Sequence, residues 1–239
     1  MATYNILVNI KDKALEDLTK NGSKLCMAKA VIDANGKETY NVVAYANIIS
    51  FANTITFVDS YSMLGTIQTF KKGDTVMTAS SKTLSIQFEQ AYSLPSWDKA
   101  FVGSDPDVPK ASFGFFNGVK ASAVVTLKGG PYGGGDDGMP NCPIFISPNP
   151  EVPGKTFLTP INKIALWFQH GLKTATMISL STSDVHIIDL TGSTSAVTTY
   201  TDDYKWVDGK TGLTSAPVNY LEINAALAIE DKAPEAASD

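Results

Sequence analysis

The chain has 239 residues, of which 44% are hydrophobic and 18% charged, and it carries a formal charge of −5. A chain of this length buries roughly 70% of the surface it exposes when unfolded, so it can build a core without metal or disulfide staples. Low charge together with abundant Ser, Thr, Gly and small apolar residues excludes a disordered chain and a charged helical bundle.

All 19 basic residues are Lys. Without the planar guanidinium fork, and with a negative net charge, nucleic acid is not an expected partner. Cys26 and Cys142 could form one bridge at most, and a core of this size makes reduced thiols the expectation. The N-terminal segment enters an alternating pattern directly, with no basic and apolar leader, so a cytoplasmic location is expected. No apolar run reaches the ~20 residues needed for a transmembrane helix.

In chain order, Tyr4, Ile6, Val8 and Ile10 share one parity and predict a strand. Asp12 reads as the cap of a short helix through Lys20, ended by Asn21-Gly22. Leu25 to Ile32 and Thr39 to Ala46 read as two arms of a hairpin turning at Asn35-Gly36. From Ile49 the odd positions Phe51, Asn53, Ile55, Phe57, Asp59 and Tyr61 form one face of a long strand. Thr66 to Phe70 and Thr75 to Ala79 flank a turn at Lys71-Lys72-Gly73-Asp74, and Leu84, Ile86 and Phe88 alternate with polar residues, which together predict an antiparallel meander.

Leu94 to Pro109 is rich in Pro, Gly and Asp and reads as a surface connection. After a strand at Ala121 to Leu127, the segment Lys128 to Pro160 holds seven Gly and seven Pro, a density that predicts a long irregular excursion. Strands resume at Ile164 to Gln169, Ala175 to Leu180, Val185 to Leu190 and Ala196 to Thr201. An apolar segment at Val218 to Ile229 precedes a tail, Glu230 to Asp239, with nothing to bury. Gly73 to Ile86 also echoes Gly171 to Ile187, either by chance between two Ser-rich hairpins or as two related sheet halves.

The expected fold is therefore all-β, a two-layer antiparallel β-sandwich with long irregular loops and one short helix. It forms one domain over 1–229, for which the sequence also allows halves at 1–105 and 106–229. Few strand residues guard the sheet edges, so a homodimer is expected, with the excursion folding over an edge as the alternative.

Chemistry-bearing residues are sparse. His170 sits at a strand end, and His186 lies opposite two apolar neighbours and reads as solvent-facing. No Gly-x-Ser-x-Gly elbow and no metal-binding His or Cys spacing occurs, so neither enzymatic activity nor a zinc site is expected. The loop pairs Asp105/Asp107, Asp136/Asp137 and Asp202/Asp203 could take calcium, Asp136 and Asp137 first. The run Gly129 to Gly138 lacks the Gly-Lys-Ser/Thr of a phosphate loop and adds two acids. Among the aromatics, Phe113, Phe115 and Phe116 cluster and read as core. Trp97 and Tyr132 stand in loops, where aromatics more often meet a ligand. With Trp167, Phe168, Cys142 and His170 they make up the candidate ligand-binding set.

The stretches Tyr40 to Ala46 and Ile55 to Tyr61, with Gly73-Asp-Thr-Val and Tyr92-Ser-Leu-Pro-Ser-Trp97, resemble small cytosolic β-rich proteins of mushrooms, the pink chromoproteins of oyster mushrooms among them. That resemblance implies a carrier of a bound organic chromophore. Lectins and pore-forming defence proteins of similar size make a glycan-binding or membrane-attacking protein the rival expectation.

Overall fold

The computed structural model describes residues 1–77, 80–133, 139–179 and 185–209. The Asp136/Asp137 pair, the apolar segment at 218–229 and the tail at 230–239 lie outside the described residues. What is described is an all-β, sandwich-like fold with a single helix and no closed barrel.

The first sheet contains β1 (Thr3–Ile10) at its centre. Beside it lie β5 (Ala52–Val58) on one side and β15 (Ser195–Tyr200) on the other, with β16 (Trp206–Asp208) outermost. Strand β1 buries Tyr4, Ile6, Val8 and Ile10 and turns the intervening residues outward, the half-buried alternation its sequence carries. Each such side chain contributes about 1.5–3 kcal/mol on full burial. Helix α1 (Asp12–Lys20) follows as expected, but Asp12 does not cap it. The cap comes from far along the chain, 189 residues beyond Lys13: Asp202 Oδ1 accepts hydrogen bonds from the Lys13 and Ala14 N–H groups at 2.9 and 3.2 Å.

The central sheet is built on β2 (Ser23–Ile32) and β13 (Gly154–His170), its longest strands. It continues through β10 (Phe113–Asn117) and β8 (Gln90–Ser96) to β9 (Lys99–Ser104). The Asn35-Gly36 turn is present, with Gly36 at φ +75°. The second arm of that hairpin divides into β3 (Glu38–Thr39) and β4 (Tyr45–Asn47), because residues between them leave β2 and pair with the chain at 175–178. Strand β14 (His186–Asp189) pairs with a later stretch of β13, residues 163–166, than β10 does. A third sheet holds β12 (Cys142–Ile146), β11 (Ser122–Leu127), β6 (Tyr61–Thr66) and β7 (Leu84–Ile86). No sheet is confined to one side of residue 105. Two of the ladders, β1 with β15 and β8 with β10, are parallel, and the rest are antiparallel.

Three sequence expectations change. Leu94 to Pro109 is no bare connection, since Ser93 pairs with Phe101 across a β8–β9 hairpin whose turn carries Trp97 and Asp98. Thr66 to Phe70 forms no strand beyond Thr66, and Gly73 to Val76 pairs instead with residues 175–177. The two echoing segments thus lie side by side. Third, the Pro-rich excursion contains β12 and the start of β13. Pro143 is tolerated because β12 is an edge strand, and Pro160 because it opens a bulge at which the β13–β2 register slips between Pro160 and Ile164.

The largest core lies between the sheets. It joins the inward residues of β1 and β5 to Leu25, Met27 and Val31 of β2, Ile164, Leu166 and Phe168 of β13, and Phe113 and Phe115 of β10. Strand β2 is buried on both faces: Cys26, Ala28 and Ala30 point to a second cluster with Trp167, Tyr40 and Val43. That explains its apolar run, which only Lys29 interrupts between Leu25 and Ile32. The homodimer expectation rests on uncovered edges, and at β5 the chain covers its own edge. Tyr132 and Thr56 exchange two backbone hydrogen bonds of 2.9 Å, and Val58 N–H donates to Gly129 O at 3.0 Å.

Candidate functional site

The residues singled out from the sequence are not gathered at one place. Trp97 is half-buried at the β8–β9 turn and packs on the main core. Tyr132, 37% exposed, lies along the β5 edge. Cys142 is fully buried, donates its thiol proton to Ala44 O at 3.1 Å, and is pushed up to about 12 by burial, as is Cys26. Neither thiol is a reactive nucleophile in that state. Trp167 and Phe168 are neighbours in sequence but, by the pleat of β13, face opposite sides: Trp167 enters the second cluster and donates Nε1–H to Gln169 Oε1 at 3.0 Å, while Phe168 enters the main core. His170 is exposed, with Nδ1 3.1 Å from Gly22 O. A cleft of about 480 Å³ opens between Glu89, Ser104, Asp105, Pro106, Val108 and Lys110, and none of the six candidates lines it.

Phe168 leads to a site that the sequence reading missed. Its ring lies parallel to the Trp206 indole at 5.2 Å between centroids, and the His186 imidazole lies parallel to the same indole at 5.0 Å. Tyr200 leans on both Phe168 and Trp206, at 4.8 and 5.0 Å, and meets Tyr204 edge-on at 6.5 Å. Five aromatic and imidazole rings therefore run from the buried His186 outward to Tyr204, which is 39% exposed. The geometry follows from a tight turn. Thr201 N–H bonds to Lys205 O and Tyr204 N–H to Thr201 O, both at 2.9 Å, and Tyr204 takes φ +58°. Helix α1 locks the turn: Asp202 caps its N-terminus, Asp17 accepts the Tyr204 hydroxyl hydrogen, and the Lys13 ammonium sits 5.1 Å above the Tyr204 ring. The signal was present as Tyr200-Thr-Asp-Asp-Tyr204-Lys-Trp206, three aromatics in seven residues.

His186 is not solvent-facing as its neighbours implied. It is 6% exposed, with Nε2 2.8 Å from Asp208 Oδ1 and 3.2 Å from Thr198 Oγ1. The strand β14 turns it inward because β15 and β16 close over it. A Thr-His-Asp relay needs the carboxylate on one ring nitrogen and the hydroxyl on the other. Here both meet Nε2, which carries its proton to Asp208, so that nitrogen has no lone pair for Thr198, whose hydroxyl lies 3.3 Å from Val207 O as a donor. The set holds strand β16 to the core.

Burial lowers the His186 imidazole below its ordinary value, although the Asp208 carboxylate pulls it upward. The unfolded chain therefore binds the proton first as pH falls below about 6.5, and this contribution to stability is present above that value and lost beneath it. His186→Gln, which can still donate to Asp208 but cannot titrate, is expected to show a shallower loss of stability than the wild type between about pH 6.5 and 5, measured as urea midpoints across that range.

A second buried polar group sits in the core. Lys29 is fully buried, donates to Ile161 O at 2.9 Å and to Asn162 Oδ1 at 3.3 Å, and lies 5.4 Å from the Phe57 ring centroid. Burial lowers it to about 8, with Asp59 opposing. It serves the carbonyl that the β13 bulge would otherwise strand, which is a structural task.

Of the loop acids, Asp105 and Asp107 clasp Lys155, and Asp202 is spent on the helix cap. Among the described residues no three His, Cys, Asp or Glu side chains are placed to hold a metal ion. No described helix is long and apolar enough to cross a membrane. Compared with protein-family models, curated proteins and solved structures, the chain finds no match in any of the three.

Proposed function

We propose that the protein is a non-enzymatic binding protein that carries a small planar aromatic ligand, a chromoprotein-like role, and that the ligand docks on the Tyr200–Tyr204–Trp206 face. The observation that carries this reading is the ring stack itself. Parallel rings near 5 Å, joined through the tilted Tyr200 to a half-exposed Tyr204 that stands edge-on, offer a surface on which another flat molecule gains stacking energy and sheds water. Lys13, already against the Tyr204 ring, supplies a cation for an electron-rich or carbonyl-bearing ligand. The turn and helix hold these groups rigidly, which lowers the ordering cost of binding.

Calorimetric titration with planar aromatics, beginning with indole and a flavin, tests the proposal. Tyr204→Ala, a change at an exposed position, is expected to weaken binding by roughly tenfold, the scale of one aromatic contact. Trp97→Phe, remote from the stack, should leave it unchanged. Binding insensitive to Tyr204→Ala and to Trp206→Ala would refute the assignment. If a glycan array were bound instead, the lectin reading would take its place.

A further inference from the structure

A different part of the molecule carries a second surface. The loop at 48–51, between β4 and β5, places Ile48 at 73% exposure and Phe51 at 60%. Leaving such side chains in water forgoes most of their burial energy, so an isolated loop would be expected to fold them inward. This loop is pinned so that they cannot turn in. Asn53, only 7% exposed, accepts from Ser50 N–H at 2.9 Å and donates to Ser50 O at 2.7 Å and to Val8 O at 3.2 Å. Asn47 accepts from Ile48 N–H at 2.8 Å and donates to Gly133 O at 3.1 Å. The Phe51 carbonyl accepts from Ile10 N–H at 2.9 Å. Both ends and the middle of the loop are thus tied to the sheet, and Ile49 alone of its apolar residues packs on the core.

Two lysines flank this tip. Lys11 follows Ile10, whose N–H holds Phe51, and is exposed; Lys24 precedes Leu25, which pairs with Asn47. Of the acids of the adjoining helix and turn, Glu16 is engaged with Lys20 at 2.7 Å, Asp17 with the Tyr204 hydroxyl and Asp202 with the helix N-terminus, while Asp12 and Asp203 stand exposed. Two projecting side chains cover far less than the roughly 1,000 Å² that a specific protein interface needs. A lipid interface needs no complementary shape, takes in single apolar side chains, and rewards flanking lysines through anionic headgroups.

We infer that the 48–51 loop docks the protein onto the surface of a bilayer containing anionic phospholipid, Ile48 and Phe51 entering the interfacial layer while Lys11 and Lys24 meet the headgroups.

Co-sedimentation of the full chain with vesicles of phosphatidylcholine and phosphatidylserine, about 3:1, at low salt tests this. The wild type should sediment with them and bind more weakly to phosphatidylcholine alone. The double variant Ile48→Ser/Phe51→Ser, with circular dichroism unchanged, should lose binding by roughly tenfold or more. Phe51→Trp should show a blue-shifted emission component on adding the mixed vesicles. A wild type that stays in the supernatant overturns the inference, as does a double variant that sediments as well as the wild type. It is overturned equally if the wild type scatters light as a dimer, the double variant as a monomer, and neither binds vesicles, since the tip would then serve a second copy.

Discussion

Lys29→Ala is expected to destabilise the protein by about 3–5 kcal/mol, among the largest effects of any single substitution. The side chain is fully buried, and its removal leaves a void beside Phe57 and strips the Ile161 carbonyl and Asn162 Oδ1 of a donor at the point where β13 changes register. Lys29→Met fills the volume but not the hydrogen bonds, so it should cost less than Ala and still be unfavourable. The same residue has a pH signature. Its ammonium is lowered to about 8 in the folded chain, against about 10.4 when unfolded, so its contribution to stability grows between those values. Cys26 and Cys142, raised to about 12, and Tyr40 and Tyr61, raised by burial and by Glu38 and Asp59, act in the opposite sense above pH 9. Net stability should therefore fall in strong alkali. The difference between wild type and Lys29→Met should nevertheless rise by about 3 kcal/mol from pH 8 to 10.5, read from urea unfolding at each pH. A flat difference would mean that Lys29 is not buried as described.

Gly133→Ala should be the most disruptive of the small changes. A Cβ at this position would stand 1.9 Å from the Thr54 carbonyl oxygen, a backbone atom that cannot swing aside. The excursion must then lift away from β5 and give up the Tyr132–Thr56 pair and the Asn47–Gly133 bond, a loss of about 2–3 kcal/mol if two or three hydrogen bonds go. The larger consequence is the uncovered edge, whose free N–H and C=O groups invite another chain. Light scattering should show Gly133→Ala shifting to larger species. Gly103→Ala, on β9 with nothing within 4 Å of the added atom, should not.

How far the sequence could be read depended on where each element's information resides. Strand β1 and helix α1 were legible because one periodicity governed each and nothing distant overrode it. The helix cap was not, because its ligand, Asp202, comes from a turn near the other end of the described chain. The excursion was misread in part: composition alone cannot tell a proline that ends a strand from one, such as Pro143 or Pro160, set at an edge or a bulge. His186 was placed outside because alternation in β14 does not reveal that two later strands close over it. The candidate site suffered most. Trp167 and Phe168 belong to one candidate set in the sequence, although adjacent residues on a strand face apart, and the Tyr200, Tyr204 and Trp206 cluster is not in that set because its rings converge only after the 201–205 turn forms.

The most direct test of a ligand-carrying role is the absorption spectrum and native mass of the protein purified without denaturant from the cells that make it. An absorption band is expected above about 350 nm, where protein aromatics do not absorb, with a native mass exceeding a whole multiple of the bare polypeptide. The excess should be released on unfolding and reduced in Trp206→Ala. A colourless protein whose native mass is that of the polypeptide alone, and which takes up no planar aromatic when one is supplied, would contradict it.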